Sequence, residues 1–123
     1  EHPDTTVVID HMTRIGELKP INDADIDRLC ALARDPKVHV KVTRFHSLGA
    51  KKPPHDDLAS MIRRVVEAFG PERLMWGSDY PHDEGTFPYS QQVIERTFKD
   101  IPEDEKWKIV GGNAARVYRF PTN

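Results

Sequence analysis

The sequence is poor in cysteine, which excludes several kinds of small protein. Its single cysteine, Cys30, excludes both an internal disulfide framework and a zinc site made of cysteines. Cys30 lies on the apolar side of a predicted helix, so we interpret it as a core residue rather than a reactive thiol. A reducing, cytoplasmic setting is the expectation that follows.

Long apolar runs and a strong net charge are also missing. No run approaches the length of a membrane span, no signal peptide is visible, and the chain starts at Glu1 without a methionine. A formal net charge of -2 and a pI near 6.3 predict neither nucleic acid nor a membrane as partner. With 37% hydrophobic residues, residues 1–123 are expected to form a single domain.

Three short apolar segments rich in β-branched residues alternate with helical patterns. We predict strands over 4–12, 37–45 and 73–79, and a regular spacing separates their centres. Such spacing is typical of parallel βα units, so the fold class is predicted to be α/β. The predicted helices are Asn22–Asp35, Asp56–Gly70, Ser90–Lys99, Glu103–Val110 and Asn113–Phe120, the last two being divided by Gly111 and Gly112.

Reactive side chains follow each predicted strand. The carboxyl ends of parallel strands meet at one rim, where α/β enzymes place their active sites. The first strand ends at Asp10 and His11 with Arg14 beyond, the second at Thr43–His46, and the third at Asp79 with His82 in the next turn. The residues alone therefore indicate His11 and Asp79 as an acid/base or metal pair.

Strand alternation predicts which way these side chains point. His11 is expected to share a side with Val7 and Ile9, and Asp79 with Met75. The second strand should turn its valines toward the helices and its polar residues, His39, Lys41 and Thr43, toward an interior.

Each candidate also has a plain structural interpretation. A histidine at a strand end is more often a hydrogen-bonded loop residue than a ligand, and an aspartate after Gly-Ser often caps a turn. Arg14 and Arg44 would usually be surface arginines. The pairing of His11 with Asp79 at matching strand ends is what favours chemistry.

Four segments carry a family resemblance: VVIDHM, VHVKVTRF, FGPERLMWGSDYPH and IVGGNAARVYRF. In this order they resemble the C-terminal part of the amidohydrolase-2 family, whose members are (β/α)8 barrels. The family includes lactone hydrolases such as 2-pyrone-4,6-dicarboxylate hydrolase, and decarboxylases such as aminocarboxymuconate-semialdehyde decarboxylase. The resemblance implies about strands six to eight of a TIM barrel with their helices, the N-terminal barrel strands being absent from this chain.

The resemblance also implies roles for the rim residues. Asp79 matches the aspartate that binds the metal, where there is one, and activates the attacking water. His11 matches a histidine that touches the metal or polarises the substrate carbonyl. On chemical grounds we add Arg44 and Arg14 as holders of a substrate carboxylate, with His82 as a further residue supporting the substrate site.

The metal requirement is open at this point. The family carries a His-x-His pair on its first strand, and this sequence has none. His11 and Asp79 are then the only tentative ligands for a zinc or manganese ion. An enzyme that works without a metal is also compatible with the sequence.

Three functions are compatible with the sequence. The first is hydrolysis of a lactone or similar bond in a small carboxylated metabolite, with water activated by Asp79. The second is metal-dependent non-oxidative decarboxylation. The third is a non-catalytic half-barrel used for assembly, which would pair its open sheet edges with another chain or with the missing barrel half.

Overall fold

A three-stranded parallel sheet forms the centre of the computed structural model, which describes residues 3–82 and 87–121 (Phe87 by its backbone alone). The strands are β1 (Val7–Ile9), β2 (Val38–Val42) and β3 (Leu74–Trp76), and they lie in the order β1-β2-β3. Helices follow each strand, which confirms the predicted α/β alternation. The helices are α1 (Asp23–Ala31), α2 (Ala59–Phe69), α3 (Phe87–Thr97), α4 (Glu103–Trp107) and α5 (Asn113–Tyr118).

One face of the sheet forms the hydrophobic core. Val40 pairs with Ile9 on one side and Leu74 on the other, so these side chains point the same way. Val40 and Leu74 are fully buried, together with the apolar stripe of α2. Each such buried side chain contributes about 1.5–3 kcal/mol to stability. The predicted valine face of β2 is thereby confirmed.

The opposite face of β2 is polar. Lys41 is the register partner of Met75 on this face, and its Nζ lies 2.9 Å from Asp10 Oδ1. A hydrogen bond from Lys41 lowers the pKa of the Asp10 carboxyl, against the effect of its partial burial. The polar side chains of β2 therefore lie opposite its valine face, as strand alternation predicted.

The alternation predicted for the first strand is wrong beyond Ile9. Val7 and Ile9 pair with Val38 and Val40 on the helix-covered side. Residues 11–14 then adopt positive φ angles of 48–59°, and this left-handed turn sends His11 to the other side. The physical reason is that strict alternation requires an extended backbone, which ends at Ile9.

The glycine pair in the C-terminal segment does not divide two helices. Residues Lys108–Gly112 form a π-helical turn that joins α4 directly to α5. The wider π turn carries both glycines without a break, so the predicted division there is wrong. By contrast, the predicted stop at Gly70 is confirmed: its φ of 71° caps α2, and its N–H donates to the Val66 carbonyl at 2.9 Å.

The amino end of the sheet is fixed by two side chains that bind backbone carbonyls. Asn113, which is 2% exposed, donates from Nδ2 to the carbonyls of Pro71 at 2.6 Å and Leu74 at 2.8 Å. Arg73 donates to the carbonyls of Phe69, Asp35 and Ala33 at 2.8–3.0 Å. These bonds tie α5, α2 and the end of the α1 segment to the strand starts. Among the described residues, no helix is long and apolar enough to span a bilayer.

Candidate active site

Four side chains from the three strand ends meet at the carboxyl edge of the sheet: His11, Arg44, His46 and Asp79. Three of these residues have left-handed backbones, with φ of 54° at His11 and 67° at both Arg44 and Asp79. Non-glycine residues seldom adopt this conformation, and it costs about 1 kcal/mol or more where it occurs. Such strain is concentrated at functional sites, so its presence at three converging strand ends marks this rim.

Asp79 is at the centre of the group. Arg44 Nη1 donates to Asp79 Oδ2 at 3.0 Å. His11 Nε2 lies 3.9 Å from Oδ1, and His46 Nε2 lies 3.8 Å from Oδ2. The carboxylate is 14% exposed, so solvent screens these interactions only in part. Part of the Asp79 side chain is therefore accessible to solvent.

Glu17 binds the two guanidinium nitrogens of Arg44 that do not contact Asp79. Its Oε1 accepts from Arg44 Nη2 at 3.0 Å and from Nε at 3.3 Å. The Arg44 hydrogen bond lowers the pKa of the Glu17 carboxyl, against desolvation. Reciprocally, Glu17 first and Asp79 second raise the pKa of the Arg44 guanidinium, while desolvation opposes them. Arg44 is thus a bridge between two carboxylates.

Thr43 orients His11 at the end of β2. The Thr43 Oγ1 and His11 Nδ1 atoms are 2.6 Å apart, so a single hydrogen bond fixes the imidazole plane. If the hydroxyl donates, His11 carries its proton on Nε2, the nitrogen nearer Asp79. His46 differs, because its buried Nδ1 has no hydrogen-bond partner within the described chain.

The other predicted site residues lie at the margin. Arg14 is 59% exposed, with its Nε 3.6 Å from Glu17 Oε2. His82 is exposed; its backbone N–H donates to the Asp79 carbonyl at 2.9 Å, which closes the turn after β3. Ser78 contributes in a similar way, since its Oγ accepts from the Tyr80 N–H at 3.2 Å. Substrate roles for Arg14, Arg44 and His82 stay predictions.

Sequence reasoning missed Glu17 and gave His46 no role. Glu17 lies in the loop after β1, where spacing carries no information about which side chain turns back to the rim. The signal for His46 was its place just after β2, the same signal that identified His11. A cavity of about 490 Å³ lies beside Arg14 and Glu17, on the α1 side of this loop. Asp79 does not line it, so this cavity is not the chemical centre.

The site offers three side chains of the types that bind divalent metals. One carboxylate and two imidazoles are ligands that zinc accepts. Here, however, His11 and His46 approach different oxygens of Asp79, and Arg44 already occupies Oδ2. Within residues 3–82 and 87–121, no three His, Cys, Asp or Glu side chains are arranged to hold a metal ion. The arrangement does not fit a metal.

Comparison with known proteins identifies related sequences over nearly the whole chain. A family model described as amidohydrolase matches residues 1–120. The 4-sulfomuconolactone hydrolase of Hydrogenophaga intermedia is 27% identical over 90% of this chain and 38% of that protein. The L-fucono-1,5-lactonase of Burkholderia ambifaria is 30% identical over 97% of this chain and 43% of that protein. This chain therefore spans less than half the length of either relative.

A solved amidohydrolase from Burkholderia multivorans has the same fold. Its structure with bound HEPES superposes with a TM-score of 0.80 at 25% identity. A second structure of it contains bound zinc and gives a TM-score of 0.75 at 26% identity. In both, 98% of this chain matches 46% of the solved one.

Proposed function

This chain belongs to the amidohydrolase family over residues 1–120, and from that premise we propose that its protein hydrolyses a lactone of a small carboxylated metabolite. The observation that carries the proposal is the Asp79 carboxylate, which follows β3 and lies beside His11, His46 and Arg44. Both relatives named above are lactone hydrolases, which supports the choice of bond.

The proposed reaction begins with a water molecule at Asp79. Asp79 removes a proton from this water while the water oxygen attacks the lactone carbonyl carbon. His11, with its proton on Nε2, donates a hydrogen bond to the carbonyl oxygen, where negative charge develops. The tetrahedral intermediate then breaks its bond to the ring oxygen. Asp79 returns its proton to that oxygen, and the product is an open-chain hydroxy acid.

Arg14 is proposed to bind the substrate carboxylate. Its guanidinium is more than half exposed and lies against Glu17 at a single distance of 3.6 Å. By contrast, the Arg44 donors already bind Glu17 and Asp79. A guanidinium pairs well with carboxylates in bidentate geometry. Arg14 thus has donors available for a ligand.

The remaining barrel strands are proposed to pair with β1 and β3. Each of these strands has one hydrogen-bonded neighbour in the sheet, which leaves two edges open among the described residues. An open edge is a template for another strand. Our proposal is that this chain supplies about strands six to eight of a (β/α)8 barrel. Another segment or another chain would then supply the rest.

The function is tested by assaying the protein with small lactone acids and measuring acid release in a pH-stat. Asp79→Asn keeps the shape but loses the base, so we expect the rate to fall by about 10²–10⁴-fold. The matched control is Asp100→Asn, an exposed aspartate between α3 and α4, which should leave the rate unchanged.

The outcomes separate the three predicted functions. Acid release without carbon dioxide supports lactone hydrolysis, whereas carbon dioxide release supports the decarboxylase. A folded protein without turnover on either substrate class supports the assembly module. A folded Asp79→Asn variant with the full rate would contradict the role of Asp79.

A further inference from the structure

We propose that the Arg44 guanidinium is the counter-ion of the Asp79 carboxylate and prevents a divalent metal ion from binding there. The inference deepens the proposed function, since Asp79 is the catalytic group there. It gives Arg44 a positioning role in place of the predicted role in holding substrate.

The first step is the geometry at Asp79 Oδ2. Arg44 Nη1 donates to this oxygen at 3.0 Å. A zinc ion bound to a carboxylate lies about 2.0–2.2 Å from its oxygen. An ion on Oδ2 would therefore lie against the guanidinium, and two positive charges at such a distance repel strongly in a partly buried site.

The second step is that Arg44 is anchored. Glu17 Oε1 accepts from both Nε and Nη2 at 3.3 and 3.0 Å, and the Glu17 side chain is 16% exposed. A metal would have to break these bonds before Arg44 could leave Asp79. Charge-assisted hydrogen bonds of this kind are among the stronger ones in proteins.

The third step is the charge balance of the cluster. Asp79 and Glu17 carry two negative charges; Arg44 and Arg14, at 3.0 and 3.6 Å from Glu17, carry two positive charges. The four side chains are therefore neutral together. No surplus negative charge remains to attract a doubly charged ion.

The fourth step is that the site holds latent metal donors. His11 and His46 both point Nε2 toward Asp79, at 3.9 and 3.8 Å. Within residues 3–82 and 87–121 these three side chains are not arranged to hold a metal ion as they stand, but two imidazoles and a carboxylate are a ligand set found in catalytic zinc sites, and small side-chain rotations would be needed to converge them. Removing the guanidinium would leave these three donors with an uncompensated negative charge. The proposal thus predicts that one substitution creates zinc binding.

The test is isothermal titration of the unmodified chain and its Arg44→Gln variant with zinc chloride at pH 7.5, where histidine is mostly neutral. We expect Arg44→Gln to bind one zinc ion at least about tenfold more tightly than the unmodified chain. Adding His46→Ala should remove this gain. The control Arg34→Gln, at an exposed arginine outside this cluster, should bind as the unmodified chain does.

Equal zinc affinity of the unmodified chain and a folded Arg44→Gln variant, whether tight or absent, would overturn the proposal. Circular dichroism first checks folding. If Arg44→Gln unfolds, Arg44→Met replaces it, because methionine fills irregular gaps well and also removes the positive charge, and its zinc affinity decides. Zinc titration requires no turnover. An inactive protein would therefore contradict the proposed hydrolysis and leave this inference standing.

Discussion

One arginine lies at each end of the sheet, and the two arginines bind different kinds of acceptor. At the carboxyl end, Arg44 binds two carboxylates in a cluster that includes partly exposed histidines. At the amino end, Arg73 binds three backbone carbonyls at 2.8–3.0 Å and stacks over the Phe69 ring at 5.2 Å. Opposite charges face each other in the first region, whereas a charged side chain donates to neutral backbone carbonyls in the second.

The difference indicates that the two ends of the sheet serve different purposes. Positive φ angles at His11, Arg44 and Asp79 store strain at the carboxyl end. At the amino end, Asn113 and Arg73 complete hydrogen bonds that the strands and helices leave unmade. In α/β barrels the carboxyl face carries chemistry and the amino face carries stability.

The largest stability effect is expected for Asn113→Asp. The change removes both hydrogen-bond donors and puts a carboxylate against the carbonyls of Pro71 and Leu74. Arg116 Nη2, which lies 3.4 Å from Asn113 Oδ1, compensates this buried charge only in part, so we expect a loss of about 3 kcal/mol in the unfolding free energy. Urea denaturation measures the loss. The matched control is Asn22→Asp, because the exposed Asn22 caps α1 by accepting from the Asp25 N–H at 3.0 Å and aspartate caps equally well. The exposed bond from Asn22 Nδ2 to Asp25 Oδ2 is lost, but solvent screens the resulting pair of carboxylates.

If Asn113→Asp and Asn22→Asp lower the unfolding free energy equally, the buried hydrogen bonds of Asn113 contribute no more to stability than an exposed position does. The control itself should change stability by less than about 1 kcal/mol.

A smaller loss is expected for Arg73→Met. Methionine keeps much of the side-chain volume but leaves the carbonyls of Ala33 and Asp35 without their donor. Unsatisfied acceptors that are partly open to water cost about 1–2 kcal/mol in total. Arg34→Met, at an exposed arginine of the neighbouring turn, is the matched control. Thermal unfolding should separate the two variants, and coincident curves would contradict the role of Arg73.

The smallest effect is expected from acid titration of Glu17. Its pKa is lowered from 4.5 by Arg44, so its contribution is fully present above the unfolded-state value and is lost as pH falls through the lower folded-state value. Urea midpoints from pH 7 to pH 3 should therefore fall less steeply below pH 4.5 in Glu17→Gln. Glu67→Gln, at an exposed position of α2, should keep the original slope. A Glu17→Gln curve parallel to the original would show that Arg44 does not stabilise this carboxylate.

The sequence was informative where strands and helices repeat. Apolar runs and their spacing predicted three parallel βα units, and parallel strands bring their carboxyl ends together whatever the loops do. This reasoning placed His11 and Asp79 at one rim, and in the structure their side chains lie 3.9 Å apart there; their catalytic roles stay a prediction. Periodicity also identified the buried stripe of α2 and its end at Gly70.

The residues that were missed depend on turns and on long-range bonds. Glu17 reaches Arg44 only because residues 11–14 reverse the backbone through positive φ, and no residue type in that loop requires this. Asn113 binds Pro71 and Leu74 from 42 and 39 residues away. Such bonds between a side chain and a distant backbone have no period and hence no signal in one sequence.

The division between the two ends is tested most directly by measuring turnover and unfolding free energy together in Asp79→Asn and Asn113→Asp. We expect Asp79→Asn to lose about 10²–10⁴-fold in turnover while its unfolding free energy stays within about 1 kcal/mol of the original. Asn113→Asp should lose stability and keep its turnover per folded molecule. If Asp79→Asn instead loses stability without a change in turnover per folded molecule, Asp79 is a structural turn residue and the account is wrong.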